Sequence, residues 1–513
     1  MFSVPIAVVH AGQDGTTAER HADRGLEFAK AGDLPAAESE LRAAVARAPN
    51  NATYLGDLGT ILAMEEKFAE SAEYLSEAVK LDPGALVVRQ NLAADLWRLR
   101  RFAEAKENLR IILRAQPHDE QAILLLGMVS ENSKDYAAAA RLLGCVPALV
   151  RERPESVAAL ARSWYHLGQR EKARETLEGL LHNPTGPEGI FLGGRVAAEA
   201  GDDGTAERLF MAIPVTYPHR SRVDYSLAVV RYHAGHYAEA QRGLQDLIHE
   251  GHETGEVDNL LGWCYEKQGK SKEAVSALES AIDRDPKQES QYLDLGHILL
   301  THKLYPAALT VAKRGVVNLP DFAAILDLKG SAELKMSQYT DAIRSYSHVR
   351  QLQPTDSEAA LGFALAEEGA GMTQQAARAF EQGIREFPRN ARYDLEYALM
   401  LLGLARAGDR VAGVRGERLL KQAIQLDGSL AEAHYQLGNI ALEGDDTAEA
   451  VRQLGIAVRI EPDSSKVHFA LARAYRRLGE QDAARREMAL FQSLKHQEEQ
   501  SAQFASPAGM ARE

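Results

Sequence analysis

The sequence predicts an all-α fold, an α-solenoid of antiparallel helix pairs, from three observations. A bulky apolar residue returns at a nearly fixed interval, small residues and prolines keep phase with it, and no segment reads as a credible strand. The anchor series is Leu41, Leu75, Leu109, Leu143, Leu177, Phe210, Leu244, Leu278, Ala312, Tyr346, Phe380, Leu420, Leu454 and Met488. Of its 13 steps, 11 equal 34 residues, one is 33 (Leu177 to Phe210) and one is 40 (Phe380 to Leu420). A period of this size held over most of a chain means stacked helix pairs, not one globular core. The 513 residues, enough for several ordinary domains, therefore read as one elongated array.

Residues 255–286 show how one unit is built. Leu261, Gly262 and Tyr265 lie at helical spacing on a first helix, and Gly269 breaks it. Ala274, Leu278 and Ala281 give the same spacing on a second helix, and Pro286 closes the unit because it lacks the donor needed to continue. Gly262 and Ala274 are small where two antiparallel helices must approach closely. The closing proline recurs as Pro49, Pro83, Pro117, Pro218, Pro286, Pro320, Pro354, Pro388 and Pro462. The small position of the second helix is alanine in twelve units, with Ser71 and Gly416 as departures. The 40-residue step places six extra residues between two helices at 405–416, a Gly- and Arg-containing stretch expected to form a longer loop.

This combination resembles the tetratricopeptide repeat, over about residues 18–495 and about fourteen units. The resemblance implies a right-handed superhelix and a non-enzymatic scaffold or adaptor that binds protein segments in its concave groove. It also implies that the fifth, ninth and twelfth positions of each first helix face that groove. In the middle of the chain those positions carry Arg162 and Tyr165, Phe191 and Arg195, Tyr225 and Tyr232, then Asn259, Trp263 and Glu266. Arg, Tyr and Trp give large contact areas with a polar handle and are enriched at binding hot spots. Packing between neighbouring first helices is the other reading of the same residues. Outer units mostly carry aliphatic groups there, such as Leu293, Leu361 and Leu365. Neither the Lys/Asn pair used by carboxylate-binding co-chaperones nor an asparagine ladder is present: Tyr435/Asn439 lacks the cation, and Asn91 stands alone.

Chemistry is sparse. Gly269-Lys270-Ser271 fails as a phosphate-binding loop because Cys264 occupies the position of the required earlier glycine. His233 and His236 lie at one end of a predicted second helix and His249 and His252 at the other, roughly 20 Å apart at 1.5 Å per residue, so the four share no metal ion. No catalytic residues, cofactor or metal are expected. The net charge of −14 argues against a general nucleic-acid binder. No run of about 20 apolar residues could span a membrane. Cys145 and Cys264 fall in units four places apart, beyond disulfide reach, and are expected to be buried.

The expected organisation is a leader at 1–17, a single array at 18–495, and a helix extension with a polar tail at 496–513. Two readings of the leader stay open. Residues 2–9 are apolar and Val8-Val9-His10-Ala11 fits the end of a secretory signal lacking its basic start, implying a periplasmic or secreted protein and a part in polysaccharide or outer-membrane export. A loosely packed leader on a cytoplasmic protein is the alternative.

Overall fold

The computed structural model describes residues 16–182 and 186–504; the leader reading and the polar tail lie outside them or at their edge. Among the described residues there are 29 α-helices, one 3-10 turn and no strand. They form two compact units, Met1–Ala274 and Val275–Glu513.

In the first unit, first helices Thr17–Lys30, Ala52–Met64, Leu86–Arg98, Glu120–Asn132, Pro154–His166, Gly186–Glu199, Arg220–His233 and Gly255–Lys267 alternate with second helices. The latter include Leu34–Arg47, Phe68–Leu81 and Phe102–Ala115, then the shorter Tyr136–Gly144, Arg170–Glu178 and Asp203–Ala212, and finally Tyr237–His249. An additional helix, Pro147–Arg151, follows the first of the short ones. The second unit repeats the alternation from Glu289–Thr301 and Tyr305–Asn318 to Ser465–Leu478 and Gln481–Phe504.

Local chemistry sets the breaks. Asp33, Asn51, Asp119 and Asp135 accept from the free backbone N–H groups of the helices they precede, and Thr16 with Glu19 forms a capping box. Within pairs the chain turns through one left-handed residue. Glycine fills it at Gly32, Gly168 and Gly235, while Glu66, Arg100, Lys134, Lys303, Ser337 and Asp445 hold φ of 58–63° elsewhere. A non-glycine residue in that region costs on the order of 1–2 kcal/mol.

Packing follows the sequence pattern. Leu41, Leu75, Leu143 and Leu454 are fully buried. A Cβ added at Gly25, Gly59, Gly127 or Gly438 would lie 2.7, 2.6, 2.7 and 2.6 Å from those anchors in turn, so glycine is what lets each anchor approach the first helix. The one small anchor, Ala312, belongs to a pair with its bulk elsewhere. Tyr292 of the first helix is fully buried, donates from its hydroxyl to the Pro286 carbonyl at 3.0 Å, and packs where Gly315 leaves room.

Two expectations are corrected. The six extra residues near 405–416 form no long loop: helices Ala391–Arg406 and Arg410–Leu426 have 16 and 17 residues against 13 and 14 in the pair before them, and only three residues separate them. Gly416 lies inside the second of these, where a Cβ would meet the Ala398 carbonyl and Leu402 at 3.3 Å, so it serves close packing and not a turn. Cys264 is buried, but Cys145 is exposed, because it caps the shortened helix Tyr136–Gly144 and leaves its packed stripe.

Candidate protein-binding face

The side chains expected to face a groove lie in the first unit, on helices Pro154–His166, Gly186–Glu199, Arg220–His233 and Gly255–Lys267. The structure divides them into residues tied to neighbouring repeats and residues left without such ties.

Arg162 is half-buried and donates to Glu131 at 2.9 Å, with Glu199 3.8 Å from its other side. Glu199 also pairs with Arg195 at 3.2 Å, so a row of alternating charge crosses three successive first helices. The carboxylate of Glu131 is only 6% exposed; Arg162 is the cation beside it, and Asn132 donates to its other oxygen at 2.5 Å. Tyr165 donates to Asp202 at 3.0 Å, and Arg174 donates to the same carboxylate at 2.7 Å. Burial alone would raise the Asp202 pKa, but Arg174 and Tyr165 outweigh it and hold the carboxyl below its ordinary range. The same burial, together with Asp202, pushes the Tyr165 hydroxyl well up.

Phe191, expected on the groove stripe, is 3% exposed. It packs on Phe210 at 5.6 Å between ring centroids, and the Arg222 guanidinium covers it at 4.4 Å. Gly194, one turn on, lets Phe210 come within 2.5 Å of where a Cβ would stand, and this draws the pair of rings into the core.

Tyr232 is half-buried with its ring 5.4 Å from that of Tyr237. Asn259 and Glu266 are half-buried and internally partnered. Tyr225 and Trp263 differ: both are half-buried, and among the described residues neither makes a hydrogen bond or ion pair. Burial, with a smaller contribution from Glu256, raises the Tyr225 hydroxyl pKa. These two rings offer contact area that is not already spent on polar ties within the array.

One feature lies outside the residues singled out in the central units. A cavity of about 790 Å³ is lined in part by Trp97, Phe102, Met128, Asn132 and Glu155. Trp97 and Met128 are the twelfth and ninth residues of their first helices, so the same positional rule applied two units earlier would have found it. No group of three or more His, Cys, Asp or Glu side chains suited to a metal occurs among the described residues, and no helix among them is long and apolar enough to cross a membrane.

Comparison with known proteins gives the repeat its family. The model described as "Tetratricopeptide repeat" matches residues 22–85, 91–144, 225–289, 265–323 and 416–490, more than half of the chain. The TPR repeat-containing protein YpiA of Bacillus subtilis is 20% identical over 387 residues, covering 74% of this chain and 82% of that protein. The Protein CTR9 homolog of Arabidopsis thaliana is 20% identical over 333 residues, 61% of this chain, which spans only 30% of that relative. A shorter segment of 82 residues is 33% identical to the Cellulose synthase operon protein C of Salmonella typhimurium, covering 16% of this chain and 7% of that one.

Proposed function

The chain belongs to the tetratricopeptide repeat family, and from that premise we propose that it is a non-enzymatic scaffold or adaptor that binds protein segments in a concave groove lined by its first helices. The observation that carries the reading is the contrast within the expected face. Arg162, Tyr165 and Phe191 are committed to neighbouring repeats, whereas Tyr225 and Trp263 present half-exposed rings without polar partners in the array. Aromatic rings of this kind supply binding area at low entropic cost because they have few rotatable bonds. Tyr225 and Trp263 form the proposed centre, Tyr232, Asn259 and Glu266 its flank, and Arg162 and Arg195 its charged edge.

Site-specific photo-crosslinking tests this. A crosslinking residue at position 225 or 263 should capture protein in cells, and one replacing the exposed Arg242 of helix Tyr237–His249 should not. Capture from position 242 alone would move binding to the second helices.

A second reading is an exported protein that supports polysaccharide or outer-membrane export. It is supported by the apolar residues 2–9 and by the local likeness to Cellulose synthase operon protein C. Fractionation of the native protein distinguishes the two: recovery from the periplasm or medium supports export, and recovery from the cytoplasm removes it.

A further inference from the structure

Ser71 stands where twelve other units have alanine, and its surroundings give it a role. It is fully buried, and its Oγ lies 2.6 Å from the Gly59 carbonyl oxygen of helix Ala52–Met64 and 2.5 Å from Asp95 Oδ2 of helix Leu86–Arg98. Asp95 is itself only 2% exposed.

A hydroxyl has one hydrogen to give, and a carbonyl oxygen has none. If Ser71 donates to Gly59, an ionised Asp95 leaves two oxygens in contact with no hydrogen between them. If Ser71 donates to Asp95, the Gly59 contact is the one left empty. Both are filled only when Asp95 carries a proton and donates to Ser71, which passes its own hydrogen to Gly59.

Charge around the pair points the same way. On Asp95's own helix, Arg98 is an exposed residue one turn away, with its guanidinium 4.9 Å over the Phe68 ring. On helix Phe68–Leu81, Glu70 is bonded to Arg42 and Glu77 to Lys80. On helix Phe102–Ala115, Lys106 lies 3.7 Å from Asp135, and on helix Glu120–Asn132, Glu131 is held by Arg162. Helix Ala52–Met64 contributes the acid Asp57, no cation. Burial pushes the Asp95 carboxyl up to about 6, against weaker opposing pulls from Ser71 and Arg98.

The second unit contains the contrasting case. There Ser345 donates to Glu333 at 2.7 Å, and Lys329 lies 2.8 Å from both the Glu333 carboxylate and the Ser345 hydroxyl. The lysine supplies the hydrogens that the first unit must obtain from a proton.

We infer that Ser71 and Asp95 form a proton-dependent joint between the second and third helix pairs, closed when Asp95 is protonated and loosened when it ionises. The sign follows from linkage. The folded pKa lies above the ordinary 3.8, so the folded array binds more protons than the opened one, and stability from this site is full at low pH and lost as pH rises through about 6. Between pH 5 and pH 8 these values give about a tenfold rise in the local opening constant.

Hydrogen exchange by mass spectrometry on the full chain tests this, with intrinsic rates corrected and peptides from residues 68–98 compared at pH 5 and pH 8. In the wild type their opening constants should be about tenfold larger at pH 8. In Asp95→Asn, whose amide donates to Ser71 at any pH, they should be nearly equal. Burial pushes the half-buried Asp57 of helix Ala52–Met64 up to about 7, so the comparison is repeated in an Asp57→Asn background, where the tenfold response that depends on Asp95 should remain. Equal opening of the wild type at both pH values overturns the joint, whether or not the variants fold, and so does a tenfold response retained by Asp95→Asn.

Discussion

The fourth to sixth helix pairs of the first unit and the pairs from residues 289 to 386 of the second solve one packing problem differently. In the second unit, helices Tyr305–Asn318, Tyr339–Leu352 and Thr373–Glu386 have 14 residues each. In the first, helices Tyr136–Gly144, Arg170–Glu178 and Asp203–Ala212 have 9, 9 and 10. The missing turns are replaced by connectors: Val146 and Val150 at the helix Pro147–Arg151, Leu180 in a 3-10 turn and Ile213 after the sixth pair all enter one buried apolar cluster. Polar ties from Arg162 to Glu131 and from Tyr165 and Arg174 to Asp202 join the same repeats. Among the described residues, the second unit has no such connectors in these pairs and combines steric fits, such as Tyr393 against Gly383 and Tyr346 against Gly362, with inter-repeat ion pairs such as Arg314 to Asp283 and Arg415 to Glu381. A 34-residue period therefore sets where units recur but not what couples them. Where second helices are short, connectors supply the buried apolar contacts that the missing turns would have made.

The largest expected effect falls on a connector. Leu180→Ala should cost about 2–5 kcal/mol, as a core truncation does, although Leu180 lies outside the α-helices. Chemical denaturation followed by hydrogen exchange checks this, and a change below about 0.5 kcal/mol would remove the connectors from the core. Arg162→Ala should cost about 1.5–3 kcal/mol by removing the cation beside the buried Glu131 carboxylate, and Glu131→Gln in the same chain should restore part of it. In the second unit, Gly383→Ala should cost about 1–3 kcal/mol, because its Cβ would stand 1.9 Å from the Tyr393 ring. Pairing it with Tyr393→Leu should recover stability if the fit is steric.

A pH effect is also expected within the second unit. Burial, and then neighbouring Glu396, push the Glu368 carboxyl up to about 7. Its folded pKa exceeds the ordinary 4.5, so its contribution is full below that value and is lost as pH rises through about 7. Glu368→Gln should flatten the pH dependence of second-unit exchange and leave residues 154–166 unchanged. The smallest effect belongs to Arg344→Ala, which removes an exposed pair with Asp341 and should change stability by no more than about 0.5 kcal/mol. Because repeat arrays open in parts, each of these is read regionally and not from a single melting temperature.

Much of the fold was legible because an anchor, its facing glycine and a closing proline repeat in phase. Leu75 opposite Gly59 is readable from spacing alone. The insertion was misread because glycine has two uses: at Gly32 it takes the left-handed conformation of a turn, while at Gly416 it admits a neighbouring helix. The candidate face was legible by position but not by role. Spacing places Arg162 and Trp263 on one stripe, yet only three-dimensional neighbours show that Arg162 is held by Glu131 while Trp263 has no polar tie. Asp95 carried no signal in its own unit, and the serine at position 71 became informative only beside it.

Tyr225 and Trp263 are proposed to bind while Tyr165 packs. Affinity capture from native cells, comparing wild type, Tyr225→Ala/Trp263→Ala and Tyr165→Ala, with regional hydrogen exchange on each, tests it most directly. The double variant should lose bound proteins with unchanged protection, and Tyr165→Ala should lose protection around Asp202. An unchanged set of bound proteins from the double variant, or their loss only alongside unfolding of residues 220–267, would contradict it.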